Sequence, residues 1–240
     1  MKTRGTGIVG YNVQTAVDTK HHLIVAHDVV NTGTDRNQLS RMAQQACEAM
    51  ATETLTAIAD RGYFKSEEIL VRHTAGICTI VPKTGTSSTK ADGLFDKADF
   101  IYDAQKNEYR CPAGQALIWR LSSVEAGLKN RRYWSSNCKD CALEEQCTPS
   151  PQRRVTRWEH QDVLDAMQTR LDHAPEAMRV RRCTVEHPYG TIKGWMGWTH
   201  FLTKSLERVK TEMSLHVLAY HLKRMMALLG VGGLMGALKG

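Results

Sequence analysis

Residues 56–68, TAIADRGYFKSEE, hold the turn on which the reading of this chain depends. An apolar, β-favouring run from Leu55 to Ala59 stops at Asp60, a basic residue and a glycine follow, and a helical pattern begins at Ser66. A carboxylate at the end of a buried strand either caps the next helix or is held there for a cation. Ser66 is the better placed cap, with Glu67 and Glu68 in the first turn, so Asp60 is left for other work.

Outward from that turn the pattern is α/β. Residues 8–18 and 23–30 read as a hairpin, with Asp18 at its turn and Asp28 in its second strand. Asp35, followed three residues later by Gln38, resembles a capping box ahead of Leu39, Met42, Ala43, Ala46 and Met50 at helical spacing. A strand at 54–60, a helix at 66–74 and a strand at 77–82 complete a β-β-α-β-α-β order. Residues 83–99 have the Gly, Ser, Thr and charge content of a linker. Residues 100–154 carry short strand-like pieces and four of the cysteines, as an insertion would. Helices are expected at 162–172, 175–195 and 205–229, the last ending at Gly230. Pro188 is expected to end or kink its helix.

The chain has 240 residues, enough for one sizeable α/β domain with an insertion, and 32 Lys+Arg against 25 Asp+Glu give it a charge of +7. That balance favours a polyanionic partner. No run of about 18 apolar residues and no apolar leader segment is present, so a cytoplasmic protein without a membrane span is expected. Seven cysteines, an odd number, argue against a disulfide framework. Cys111, Cys138, Cys141 and Cys147 form a C-x-x-C pair with two outlying thiols, a set suited to structural Zn²⁺; reduced thiols in a small β-module are the plainer reading. Arg110, Lys129, Arg131, Arg132 and Lys139 nearby favour thiolates and could meet phosphates. Cys47, Cys78 and Cys183 read as small core residues.

In MRVRRCTVEHPYGTIKGW, residues 178–195, the spacing places Arg179, Arg182, Glu186 and Lys193 along one helix face. A solvated face with an Arg182–Glu186 ion pair would explain it. Beside Asp60, the face gains another meaning. Two carboxylates sharing Mg²⁺ in a cleft can activate a water or a 3′-hydroxyl for in-line attack on a phosphodiester, with Arg182 and Lys193 on the phosphates. Trp195, Trp198, His200 and Phe201 suit either base stacking or helix packing.

The stretches GYNVQTAVDTKHHLIVAHDVVNTGTDRNQL, ADRGYFKSEEI, CPAG, CKDCALEEQC, RRCTVEHPYGTIKGWMG and HFLTKSLERV together resemble the DDE transposases of bacterial insertion sequences, in the subgroup with a Cys-rich insertion. The resemblance covers essentially the whole chain. It implies an RNase H-like, retroviral integrase-like mixed sheet of five strands flanked by helices, divided as core (1–99), Cys-rich zinc module (100–154) and helical core (155–240). It also implies three metal-binding acids. The D-R-G-Y context matches Asp60, Arg61, Gly62 and Tyr63, and the helical Y-x2-R-x3-E-x6-K signature matches Arg182, Glu186 and Lys193, with Arg179 in the tyrosine position. In that family the first acid precedes the hairpin, and this sequence has no acid before Asp18. The expectation is therefore a chain lacking its first strand and first acid: a weakly active or inactive form of a transposase for Mg²⁺- or Mn²⁺-dependent DNA cleavage and transfer. Its expected partners are DNA and a second copy or a full-length transposase. The competing expectation is a non-catalytic, zinc-stabilised DNA-binding regulator.

Overall fold

The structure is a computed structural model that describes residues 10–85, 91–237 and 239. It divides into two compact units, residues 1–84 with 166–240, and residues 85–165, each taken by itself below.

The first unit opens with the expected hairpin. Strands β1 (Asn12–Val17) and β2 (Ile24–Val30) pair antiparallel, with Asn12 opposite Val30 and Thr15 opposite His27. Asp18 accepts the N–H groups of Lys20 and His21, which fastens the turn as its position predicts. Helix α1 (Leu39–Ala49) buries Leu39, Met42, Ala43 and Ala46, as their spacing forecast, and Cys47 with them, whereas Met50, forecast on the same face, is the C-cap and 47% exposed. Its N-cap, Gln38, makes no side-chain cap bond, and the Asp35 carboxylate is engaged elsewhere. Strand β3 (Thr56–Ile58), helix α2 (Ser66–Thr74) and strand β4 (Cys78–Ile80) form a β-α-β crossover with the strands parallel. Ser66 is the first helical residue of α2, and Lys65 occupies the cap position.

The second unit contains strands β5 (Ile101–Asp103), β6 (Glu108–Arg110), β7 (Ala116–Glu125), β8 (Leu128–Trp134) and β9 (Val155–Trp158), an antiparallel sheet in chain order, and a short helix α3 (Glu144–Cys147). Its core is small: Phe100, Tyr109, Leu117, Tyr133 and Val155, with Cys111 and Cys147 packed against it. Helix α4 (Gln161–Asp172) runs over the boundary between the units.

Returning to the first unit, α5 (Ala177–Gly190) continues through Pro188, which is buried, and passes into a π-helical turn at Thr191–Trp195. The proline displaces one intrahelical bond without ending the helix. Helix α6 (Leu206–Ala237) breaks at Gly230, whose φ of 70° and ψ of 163° are non-helical. That glycine was the expected end, and a left-handed φ there suits no other residue as well. Val209, Met213, Val217 and Tyr220 of α6 pack with Ile24, Val29, Ile192 and Trp198. Trp198 is therefore a core residue, whereas Trp195 is 81% exposed. Cys47 is buried as expected, but Cys183 is exposed on α5, because a helix that covers a sheet with one face leaves its other positions in solvent.

A single mixed five-stranded sheet is not formed by the described residues. Hairpin β1–β2 and parallel pair β3–β4 are separate two-stranded sheets, and the five-stranded sheet is the antiparallel one of residues 85–165. Each of β1 and β3 pairs on one side only, and both line one cavity of ≈360 Å³, together with residues of α1 and α5. No described strand joins the two free edges.

Glu212 ties α6 to the preceding loop. Its carboxylate accepts the N–H groups of Leu202 (2.8 Å) and Thr203 (2.9 Å) and the Thr203 hydroxyl (2.6 Å). Burial pushes its pKa up, but these bonds prevail and hold it down at about 2. A depressed acid stabilises the fold above its unfolded value and loses that contribution as pH falls through the folded one. Glu212→Gln should therefore cost ~2 kcal/mol near neutral pH, with the gap closing between pH ~4.5 and ~2 in urea unfolding. An undiminished gap at pH ~2 would contradict this assignment.

Candidate functional site

Asp60 lies just past β3, in extended conformation, and its Oδ1 accepts the Gly62 N–H at 2.8 Å to cap a 3₁₀ turn at Arg61–Tyr63. Capping, set aside for α2, thus returns as part of its role. Its Oδ2 accepts from Arg181 Nη2 at 2.7 Å, with the two side chains 43% and 25% exposed. Arg181 projects from α5 and lines the same cavity as Asp60. A half-exposed pair of this kind contributes about 1 kcal/mol or less. It matters more for what it does to Asp60, both of whose oxygens have partners.

A second carboxylate stands beside the first. Asp35 Oδ1 accepts from Asn12 Nδ2 (2.6 Å) and Gln14 Nε2 (2.8 Å). A methyl group built on Gly62 would meet Asp60 Oδ1 at 2.9 Å, so a side chain there would shift the Asp60 carboxylate, while Asp35 Oδ2, at 3.5 Å, would be in ordinary contact. Tyr63 donates to the Gln14 side chain. Burial first, then the charges of Asp35 and Asp60, raise its pKa far above the usual phenol range, so it remains a donor. Burial also raises the Tyr189 phenol, opposed by Thr15 and aided by Asp35, and its hydroxyl donates to the Val13 carbonyl at 3.4 Å. The result is a polar end, with two carboxylates and the Arg181 guanidinium, to a cavity whose other walls mix apolar residues of α1 and β3 with Thr15, Asp18, Thr19, Thr56 and Thr184.

The predicted helix face exists but faces solvent. Arg179, Arg182, Glu186 and Lys193 are all exposed, and none of the four lines the cavity. Arg179 pairs with Glu176, and Lys193 sits 5.5 Å above the Tyr189 ring. The residues that α5 turns to the cavity are Arg181, Thr184, Val185 and Tyr189. Sequence reasoning missed Asp35, Asn12, Gln14 and Arg181. The available signal was the alternation that puts Asn12 and Gln14 on one side of β1; the structure buries Gln14 to 1% exposure, where its amide needs partners.

A family model described as transposase DDE domain matches residues 1–222. The chain belongs to that family. Comparison with the curated proteins and with the solved structures gave no match. Membership makes transposition the function class, DNA the partner class and a divalent metal such as Mg²⁺ the general cofactor of the family. No described helix is long and apolar enough to cross a membrane.

In the second unit of this DDE domain, Cys111, Cys138, Cys141 and Cys147 line one small cavity. Burial raises the Cys147 thiol, Arg153 lowers it, and the three other cysteines raise it further. The four are near neighbours, yet among the described residues no three His, Cys, Asp or Glu side chains are drawn into a metal-holding group. The cations of this unit are partly engaged: Arg132 with Glu125, Lys129 with Glu159, and Arg131 over the Trp119 ring at 5.8 Å.

Proposed function

We propose that this domain is a weakly active or inactive form of a transposase for DNA strand cleavage and transfer, with Asp60 and Glu186 as the acids that would hold Mg²⁺ or Mn²⁺, and Arg182, Lys193 and Arg179 meeting DNA phosphates. The observation that carries the reading is Asp60, held at the end of β3 within a family match over residues 1–222. Carboxylate oxygens suit a hard divalent ion. When bound, such an ion activates an attacking hydroxyl and steadies the leaving oxygen of a phosphodiester. The work of this chain's own residues is to present Asp60 from a fixed turn, to hold it through Gly62, and to keep Arg181 as a counter-charge that an incoming cation must displace. The reading carries with it an RNase H-like arrangement, in which β1–β2 and β3–β4, separate pairs among the described residues, would be two parts of one sheet. In the second unit the four-thiol set fits Zn²⁺ in its chemistry, and we assign it a structural zinc.

With Asp60 and Glu186 as its metal-binding acids, the 240-residue chain should give little or no strand joining in Mg²⁺. Incubation with end-containing duplex and a target plasmid tests this: robust joining, abolished by Asp60→Ala, would overturn the low-activity assignment. The regulator reading predicts DNA binding that survives loss of both acids and no cleavage in Mn²⁺.

A further inference from the structure

Helix α6 is apolar on two opposite sides. One side, Val209, Met213, Val217 and Tyr220, belongs to the core of its unit. The other carries Leu215, Leu218, Leu222, Met226 and Leu229, with exposures of 62%, 55%, 42%, 42% and 54%. At 3.6 residues per turn these five fall within roughly 80° of arc, centred about 180° from the core side. No charged residue interrupts the stripe over its length of about 20 Å. Single exposed leucines need no explanation, but a continuous stripe of this size does.

The stripe is symmetric about Leu222. Leu215 and Leu229 lie seven residues to either side of it, and Leu218 and Met226 four to either side. An antiparallel copy centred on Leu222 therefore sets Leu215 against the second copy's Leu229, and Leu218 against its Met226. Ala219 and Met225, three residues to either side, oppose small to large in the same arrangement. A two-fold interface requires this self-complementarity, whereas an unrelated partner does not. The five side chains expose on the order of 500 Å² per copy, so a pair would bury about 1,000 Å², the level that separates stable interfaces from incidental ones. The heptad-like steps of three and four residues are those of antiparallel helix packing.

We propose that this face of α6 is a homodimer interface, in which two copies of the chain pack antiparallel across a two-fold axis through Leu222. Sedimentation equilibrium of the full chain across a concentration series, with two variants, tests it. The wild type should sediment at twice its monomer mass, and Leu222→Glu, which sets two carboxylates on the axis, should weaken self-association at least ~100-fold while leaving circular dichroism unchanged. Leu222→Cys, oxidised mildly, should give a 222–222 disulfide identified by peptide mass. A wild type that stays monomeric throughout, or a dimer that persists in Leu222→Glu, would overturn the proposal, as would a folded Leu222→Cys that dimerises without forming the 222–222 link.

Discussion

Stripping the proposed zinc from the purified protein should cost the antiparallel sheet β5–β9 its order. That sheet rests on a core of five buried side chains, Phe100, Tyr109, Leu117, Tyr133 and Val155, and most of β7 is exposed. A core of this size supplies only about 3–5 kcal/mol, whereas a structural zinc contributes on the order of 10 kcal/mol at neutral pH. Cys111 and Cys147 pack directly against that core, so metal bound there would fix the β6 end and helix α3 to the sheet. The expected results are close to one zinc per chain by elemental analysis, and loss of amide protection across residues 101–158 after chelation. Four thiols that alkylate freely in a metal-free protein whose sheet remains protected would reject the assignment and favour the reduced β-module.

Much of the first unit is written in its sequence because the signals there are local and periodic. Helix α2 begins and ends at the predicted residues, and α1 buries the predicted face except Met50, which falls just past its end. The hairpin, and Asp60 at the end of β3, follow from the same alternation and turn chemistry. What was not legible depends on distance or on helix phase. Asp35 fits the spacing of a capping box, and nothing local reveals that the Asn12 and Gln14 amides, more than twenty residues earlier, claim its carboxylate. Arg181 and Arg182 are neighbours in sequence but about 100° apart on α5, and packing chose Arg181 to face Asp60. The expectation of one mixed sheet rests on the family resemblance, and the element order read from the residues does not specify whether β1 and β3 meet.

Asp60 should dominate divalent-ion binding by the first unit. Its Oδ2 is shared with Arg181 and its Oδ1 with the Gly62 N–H, so an incoming cation competes with a surface-strength ion pair of about 1 kcal/mol or less. Replacing Arg181 with glutamine removes that competitor and a repelling charge, and should tighten binding several-fold. Replacing Asp60 with alanine removes the oxygen donor itself, and should weaken binding at least ~10-fold, because hard cations depend on carboxylate ligands. Glu186→Ala should weaken it as well, although Glu186 lies on the outer face of α5. The direct measurement is a Mn²⁺ titration followed by electron paramagnetic resonance on zinc-loaded wild type, Asp60→Ala, Glu186→Ala and Arg181→Gln. The proposed site predicts weaker binding in the first two variants and tighter binding in the third. Equal Mn²⁺ affinity in the wild type and Asp60→Ala would contradict it.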